Sequence, residues 1–342
     1  MTVTARLAPD VTRIAVVLPS WVGDVVMATP VFRALRAHRP DTRIVALHRP
    51  GLADLLAGDD AFDDAIPLPK VGAIGLLAQA RLVRRQGFEA VVLLPNSLRA
   101  ALLARLAGIP RRIGYARDRR RVLLTDAVTP PREPTPMPAV DFYATLGEAV
   151  IGAAITDRRP RLTVTDAERD DATTLLEGVG RPFVVLNPGA SKVAKRWPGD
   201  RFAAVADALA DAGRAIVLSG SPTERADLDA IAARMRGPAT VIAGRVTLGS
   251  LKAVLAEAAL LVTNDTGPRH VAAAVGCASV VLFGPTDPRW TTLPGVREHL
   301  LRAEPFLPED RIADRFPTEC AIDRIPVADV VFAARRLLDG SA

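Results

Sequence analysis

Four short segments of this 342-residue chain set charged side chains among Gly, Ser, Thr and Pro, directly after apolar runs of strand length. The first is Pro19-Ser20-Trp21-Val22-Gly23-Asp24. Gly23 suits a tight strand-to-helix turn, and Asp24 falls where a helix begins. A carboxylate there either caps orphan backbone N–H groups or stands at the mouth of a cleft and takes a proton. The second segment runs from Asn187 to Pro198 and joins Gly189 and Ser191 to three cations, Lys192, Lys195 and Arg196. It is either a solvated basic loop or a clamp for a leaving diphosphate, since lysine supplies a mobile point charge. Lys70, Lys192, Lys195 and Lys252 are the only lysines in the chain. Two of four in one loop favour the clamp. The third segment, Ser219-Gly220-Ser221-Pro222-Thr223-Glu224, ends in a carboxylate that either accepts from ribose hydroxyls or stabilises the first turn of a helix. The fourth, Asn264-Asp265-Thr266-Gly267-Pro268-Arg269-His270, opens onto a helix whose N-terminal amides suit phosphate. Asp265 caps that helix or holds a sugar hydroxyl. His270 is a packed helix residue or a ligand contact.

Other chemistries fail on spacing. GxGxxG, GxxxxGK[ST] and GxSxG are all absent, which weighs against dinucleotide cofactors, P-loop chemistry and a serine nucleophile elbow. His38, His48, His270 and His299 lack metal-ligand spacing. Asp227-Leu228-Asp229 has the DxD spacing of metal-dependent nucleotide-sugar enzymes. It falls inside a helical pattern, where i and i+2 point to different faces, so it reads as surface. Cys277 and Cys320 are too few for a disulfide scaffold or a four-thiolate zinc site.

The elements that must carry these segments alternate regularly. Strand patterns cover 13–19, 43–49, 61–69, 88–95 and 111–116, then 183–189, 215–221, 240–245, 260–265 and 279–285. Helical patterns lie between them, including 71–87, 97–108, 200–213, 223–236, 247–259 and 267–276. Continuous apolar strands between amphipathic helices mean parallel sheets covered on both faces. Residues 117–139 break the pattern, with prolines at 130, 131, 134, 136 and 138, and read as a linker between two halves. The expected fold is therefore α/β, two Rossmann-like doubly wound domains facing a cleft. Hydrophobic residues at 49% can fill two cores, and charged residues at 24% exclude wholesale disorder. The net charge is +6, but aromatics are only 4%, sparse for stacking bases, so nucleic acid is not an expected partner. The first residues lack an apolar signal-peptide core, and no uncharged run reaches bilayer length. A soluble cytoplasmic protein is expected.

The segments SWVGDVVMATPVFRALR (20–36), LPNSLRAALLARLAGIPRRIGY (94–115), NPGASKVAKRWP (187–198) and VTNDTGPRHVAAAVG (262–276), in this order, resemble glycosyltransferase family 9, the bacterial lipopolysaccharide heptosyltransferases, and most nearly the heptosyltransferase II type. The resemblance implies a GT-B fold. It divides the chain into an acceptor domain at 1–165, a nucleotide-sugar donor domain at 166–325, and a C-terminal helix at 326–342 packing back toward the first domain. It implies an inverting, metal-independent transfer of heptose from ADP-L-glycero-D-manno-heptose to the inner core of lipopolysaccharide, with no cofactor beyond the donor. The enzyme would act at the cytoplasmic face of the inner membrane. Asp24 would be the general base and Lys195 would neutralise the departing ADP. The donor would lie among Asn187, Gly189, Ser191, Lys192, Ser219, Gly220, Ser221, Glu224, Asn264, Asp265, Thr266, Gly267 and His270. Ser20, Gly23, Asn96, Arg99, Arg117 and Arg120 would face the acceptor. Lys192 and Pro268-Arg269 depart from the family pattern, and the segment 302–314 has no assigned role.

Two other readings stay open at this level. One is a different GT-B nucleotide-sugar enzyme, such as an epimerase or another hexosyl or heptosyl transferase. The other is a non-catalytic binder of anionic lipid or nucleotide, resting on the basic stretch Arg111 to Arg121.

Overall fold

β-Branched runs form the sheets, and Ala/Leu-rich stretches with apolar residues three and four apart form the covering helices. In this computed structural model, residues 5–131, 136–303 and 319–340 are described. Pro134 and residues 304–314 of the unassigned segment lie outside them. Contacts divide the chain into two units, Met1–Arg158 and Arg159–Ala342.

The first unit contains strands β1 (Arg13–Val17), β2 (Arg43–His48), β3 (Asp64–Pro67), β4 (Ala90–Leu93), β5 (Arg111–Tyr115) and β6 (Asp126–Val128). Its helices are α1 (Val22–His38), α2 (Ala53–Leu56), α3 (Ala73–Arg84), α4 (Leu98–Leu106) and α5 (Ala139–Ile151). The sheet order is β3-β2-β1-β4-β5-β6, parallel throughout. The order reverses between β1 and β4. In open α/β sheets such a reversal opens a crevice beyond the strand ends. Asp24 follows β1 and Asn96 follows β4, so both lie at that point.

The second unit repeats the plan with β7 (Phe183–Asn187), β8 (Ala215–Leu218), β9 (Thr240–Val241), β10 (Leu260–Asn264), β11 (Ser279–Phe283) and β12 (Glu298–Arg302). Its helices are α6 (Asp166–Leu175), α7 (Gly199–Ala210), α8 (Arg225–Ala232), α9 (Leu248–Glu257), α10 (Gly267–Val275) and α11 (Val327–Leu338). The parallel order β12-β11-β10-β7-β8-β9 reverses between β7 and β10. The Asn187 and Asp265 loops leave these two adjacent strands.

The expected α/β class with two doubly wound sheets holds, and the unit boundary falls elsewhere than the proline-rich stretch. The proline-rich stretch does not divide the units: β6 pairs with β5, and α5 packs on α1. The first unit ends where Arg158 pairs with Asp141 at 2.7 Å and Glu148 at 2.9 Å, rather than at residue 165. Beyond it the backbone binds the second unit, with the Leu162 amide donating to the Ala274 carbonyl at 3.2 Å. Helix α11 buries Val330, Ala333, Ala334 and Leu337 in the second unit's core.

Lys252 on α9 is wholly buried and pairs with the buried Glu168 of α6 at 2.9 Å, while donating to the Thr163 carbonyl at 2.9 Å. Removing one partner of a buried ion pair strands the other. Lys252→Met should therefore cost about 3–5 kcal/mol in urea unfolding, and a loss comparable to a surface substitution would contradict this role.

Candidate active site

In the first unit, Asp24 sits in the opening turn of α1 but is not its cap. Trp21 holds the cap position in an extended conformation and makes no side-chain cap bond. Asp24 instead accepts a hydrogen bond at Oδ1 from the Tyr143 hydroxyl at 2.9 Å. Tyr143 is buried on α5 and lies 119 residues away in sequence. Burial raises the pKa of Asp24, and the Tyr143 bond offsets part of the rise. Asp24 is thus a half-buried carboxylate held by a phenol rather than the cap of α1.

Of the residues expected to face the acceptor, Ser20 is exposed and Gly23 half-buried. Arg117 lies with its guanidinium 5.9 Å from the Phe142 ring centroid. Arg99 is half-buried and donates to Gln79 at 3.3 Å. Arg120 corrects the expectation of an acceptor contact. It is wholly buried and donates to the Tyr115 carbonyl at 3.0 Å, to Asn96 Oδ1 at 3.1 Å and to the Pro95 carbonyl. It shapes the loop after β4 rather than offering a charge to a ligand, and it occupies Asn96 in doing so.

In the second unit the strand-end loops are tied to one another. Asn187 donates to the Ser219 carbonyl at 2.9 Å, and Asn264 donates to the Pro188 carbonyl at 2.6 Å. Asn264 also accepts from the Trp197 amide at 3.3 Å. Trp197 is buried, its indole N–H donating to the Ile325 carbonyl at 3.1 Å and its ring edge-on to Phe202. Asn187, Ser219 and Asn264 are all buried and brace the strand-end loops. Their bonds fix the path of the loop and place Lys195, at the end of a short 3-10 turn, against Asp265 with Nζ to Oδ2 at 3.1 Å. Ser191 and Lys192 precede that turn and are exposed.

Asp265 does not cap α10; Thr266 holds that position, with Gly267 next. The Asp265 carboxylate is held three ways: by Lys195, by Arg269 at 3.0 Å on the other oxygen, and by the Thr286 hydroxyl at 3.3 Å. Burial alone would raise its pKa, but the two cations outweigh burial and hold it below the usual carboxylate range. Arg269 is wholly buried, pairs again with Glu298 at 2.8 Å and lies over the Phe283 ring. His270 is buried beside these charges. Burial, and then Arg269, push its pKa down to about 3, so the ring is neutral near pH 7. Its Nδ1 has no hydrogen-bond partner among the described residues.

Glu224 accepts from both the Ser221 amide and hydroxyl at 2.8 Å. A Cβ at residue 189 would lie 2.1 Å from its Oε1, and one at residue 220 would lie 3.2 Å from Oε2. Gly189 and Gly220 therefore let the loops after β7 and β8 close on one carboxylate. Asp227 and Asp229 lie on α8 beside Arg196 and Arg225, as the surface reading expects.

The sequence model for glycosyltransferase family 9 (heptosyltransferase) matches residues 76–317. The chain belongs to this family. It is 31% identical to lipopolysaccharide heptosyltransferase 2 of Escherichia coli K12 over 294 residues, covering 82% of this chain and 84% of that one. A family 9 glycosyltransferase from Veillonella parvula superposes with a TM-score of 0.84 at 25% identity, over 98% of this chain and 99% of that one. The E. coli ADP-heptose lipopolysaccharide heptosyltransferase II gives a TM-score of 0.81 at 27% identity, over 96% and 99%. The GT-B class and a glycosyltransferase activity follow.

Sequence reasoning missed Tyr143, Thr286 and Glu298 in this glycosyltransferase, since no local pattern links them to the site. It singled out Arg269 only as a departure. Because burial raises the pKa of Asp24, ionising it near neutral pH costs folding free energy, and this cost vanishes below about pH 4 where both states hold the proton. Asp24→Asn should raise Tm near pH 7 and leave it unchanged in acid; a variant less stable at both would contradict the burial argument. Tyr143→Phe should move the Asp24 titration further up, read by carboxyl NMR, and an unshifted curve would deny the hydrogen bond a role.

Proposed function

We propose that this family 9 enzyme transfers a heptose from ADP-L-glycero-D-manno-heptose to a heptose on the lipopolysaccharide inner core, with inversion and without a metal ion. The observation that carries the reading is the pairing of chemistries at the two strand-order reversals. One unit holds a buried carboxylate fixed by a phenol; the other holds a lysine parked on an aspartate. The kinship with heptosyltransferase 2 supports the donor and acceptor class.

In this mechanism the acceptor hydroxyl gives its proton to Asp24 Oδ2 while its oxygen attacks the anomeric carbon. The bond from that carbon to the β-phosphate oxygen breaks on the opposite face, and its electron pair leaves with ADP. Lys195 and the free amides at the start of α10, at Thr266 and Gly267, take up the developing charge in place of a metal ion. Asp265 accepts from a sugar hydroxyl, and Glu224 accepts from the ribose. His270, being neutral, serves as a hydrogen-bond partner rather than a counter-charge.

A positioned general base contributes about 10²–10⁴-fold. Asp24→Asn should lower kcat by that much while calorimetry still detects ADP-heptose binding. Lys195→Met should weaken the same step and donor affinity together. Near-normal turnover by Asp24→Asn would remove the base assignment. Sugar modification without any acceptor would instead indicate an epimerase. For the wild type, kcat/KM should fall on the acid side at a pH above the ordinary carboxylate range, because burial raises the pKa of the base.

A further inference from the structure

The positive charge of this chain is concentrated in one stretch. Residues 70–125 carry twelve Lys and Arg against only Glu89 and Asp118, a net +10, whereas the whole chain is +6. The remainder is therefore net negative. The same stretch holds five of the nine large apolar side chains that stand exposed among the described residues: Ile74, Leu77, Leu82, Leu98 and Val122. Ile74 and Val122 are each 86% exposed.

These residues share one layer of the first unit. Helix α3 turns Leu76, Ala80 and Val83 into the core below it, and α4 does the same with Ala101 and Ala104. The outward stripe of α3 is then Ile74, Leu77 and Arg81, at helical spacing, with the exposed Arg85 at its C-cap. Helix α4 packs beside α3, and the 3-10 turn Arg121–Leu123 packs beside α4. Leu98 and Arg105 continue the stripe on α4, and Arg119, Arg121 and Val122 extend it beyond. Within residues 70–125 and among the described residues, only Arg111 is paired with a carboxylate, Asp126. Large apolar tips set among unneutralised arginines suit a layer that is apolar inside and anionic at its surface. The apolar tips Ile74, Leu77 and Leu98 begin their helices, so they lie at the same strand-end edge of the sheet as Asp24. Among the described residues, no helix is long and apolar enough to cross a membrane.

We propose that the outer face of α3, α4 and the 121–123 turn docks this enzyme on the surface of an anionic phospholipid bilayer, with Ile74, Leu77, Leu98 and Val122 entering the headgroup region and the arginines holding lipid phosphates. The proposal deepens the reading of a lipid-linked acceptor and rests on it for its purpose, but not for its test. The orientation brings the acceptor edge of the first unit to the surface where a lipid-anchored sugar is presented.

The test is co-sedimentation of the full chain with phosphatidylcholine vesicles, with and without phosphatidylglycerol, in low and high salt and without substrates. Wild type should sediment only with phosphatidylglycerol present. Arg81→Gln/Arg85→Gln should lower the salt-sensitive part of the partition coefficient, by roughly fivefold per cation removed. Ile74→Ser/Leu77→Ser should abolish the part that survives high salt. Both variants should keep wild-type Tm and wild-type transfer to a soluble, delipidated core oligosaccharide. Wild type that ignores phosphatidylglycerol vesicles, variants that sediment like wild type, or preferential binding to duplex DNA over vesicles would each overturn the docking face while leaving the transfer reaction standing. Loss of transfer by wild type on the soluble acceptor would count against the reaction and not against the face.

Discussion

In the second unit four side chains of alternating sign, Lys195, Asp265, Arg269 and Glu298, run through the interior with contacts of 3.1, 3.0 and 2.8 Å. None of the last three could be buried alone, because an uncompensated charge in a poorly polarisable interior costs several kcal/mol. The run is therefore a constraint on everything around it. Strand β10 must end at Asn264, the loop after β7 must return to β10 through Asn264 and Trp197, and β12 must supply Glu298 from the far edge of the sheet. Arg269 pairs with Asp265 on the oxygen that Lys195 does not use, so the carboxylate keeps a buried counter-charge of its own.

The first unit places its key carboxylate under the opposite stress. Asp24 has a phenol for company and, among the described residues, no paired cation, so burial wins and the proton is held more tightly. One carboxylate is thus suited to accept a proton and the other to stay ionised, and their neighbours, rather than the residue type, decide which is which.

Much of this was legible in the sequence because strand ends carry local signals. The Gly, Ser and Asp turns after β1, β7, β8 and β10 single out Asp24, Lys195, Glu224 and Asp265 from local pattern alone. Two strands escaped notice for physical reasons. β6 is three residues long between arginines and prolines, and β12 is an edge strand whose residues are only half-buried, so neither makes a continuous apolar run. Tyr143 looked like one more apolar residue on an amphipathic helix; its hydroxyl acquires meaning only when α5 packs on α1. Arg120 and Asn264 stood in the right loops, but residue type alone cannot tell an arginine that meets a ligand from one that holds up the loop. Arg269 was visible as an oddity, and its explanation required Glu298, brought alongside by a parallel pairing of β11 with β12.

The near-exclusive use of arginine leaves an unusual reactivity pattern. Both cysteines are buried, Lys252 is sealed in the core and Lys195 is masked by Asp265, so among the described side chains the readily acylated amines are those of Lys70 and Lys192. Lys192 lies three residues from Lys195 in the loop after β7. A fluorophore carried by an amine-directed reagent would therefore settle on the loop after β7 without any engineered attachment point, and with Lys70 changed to arginine it would report from that loop on the side-chain amine of one residue.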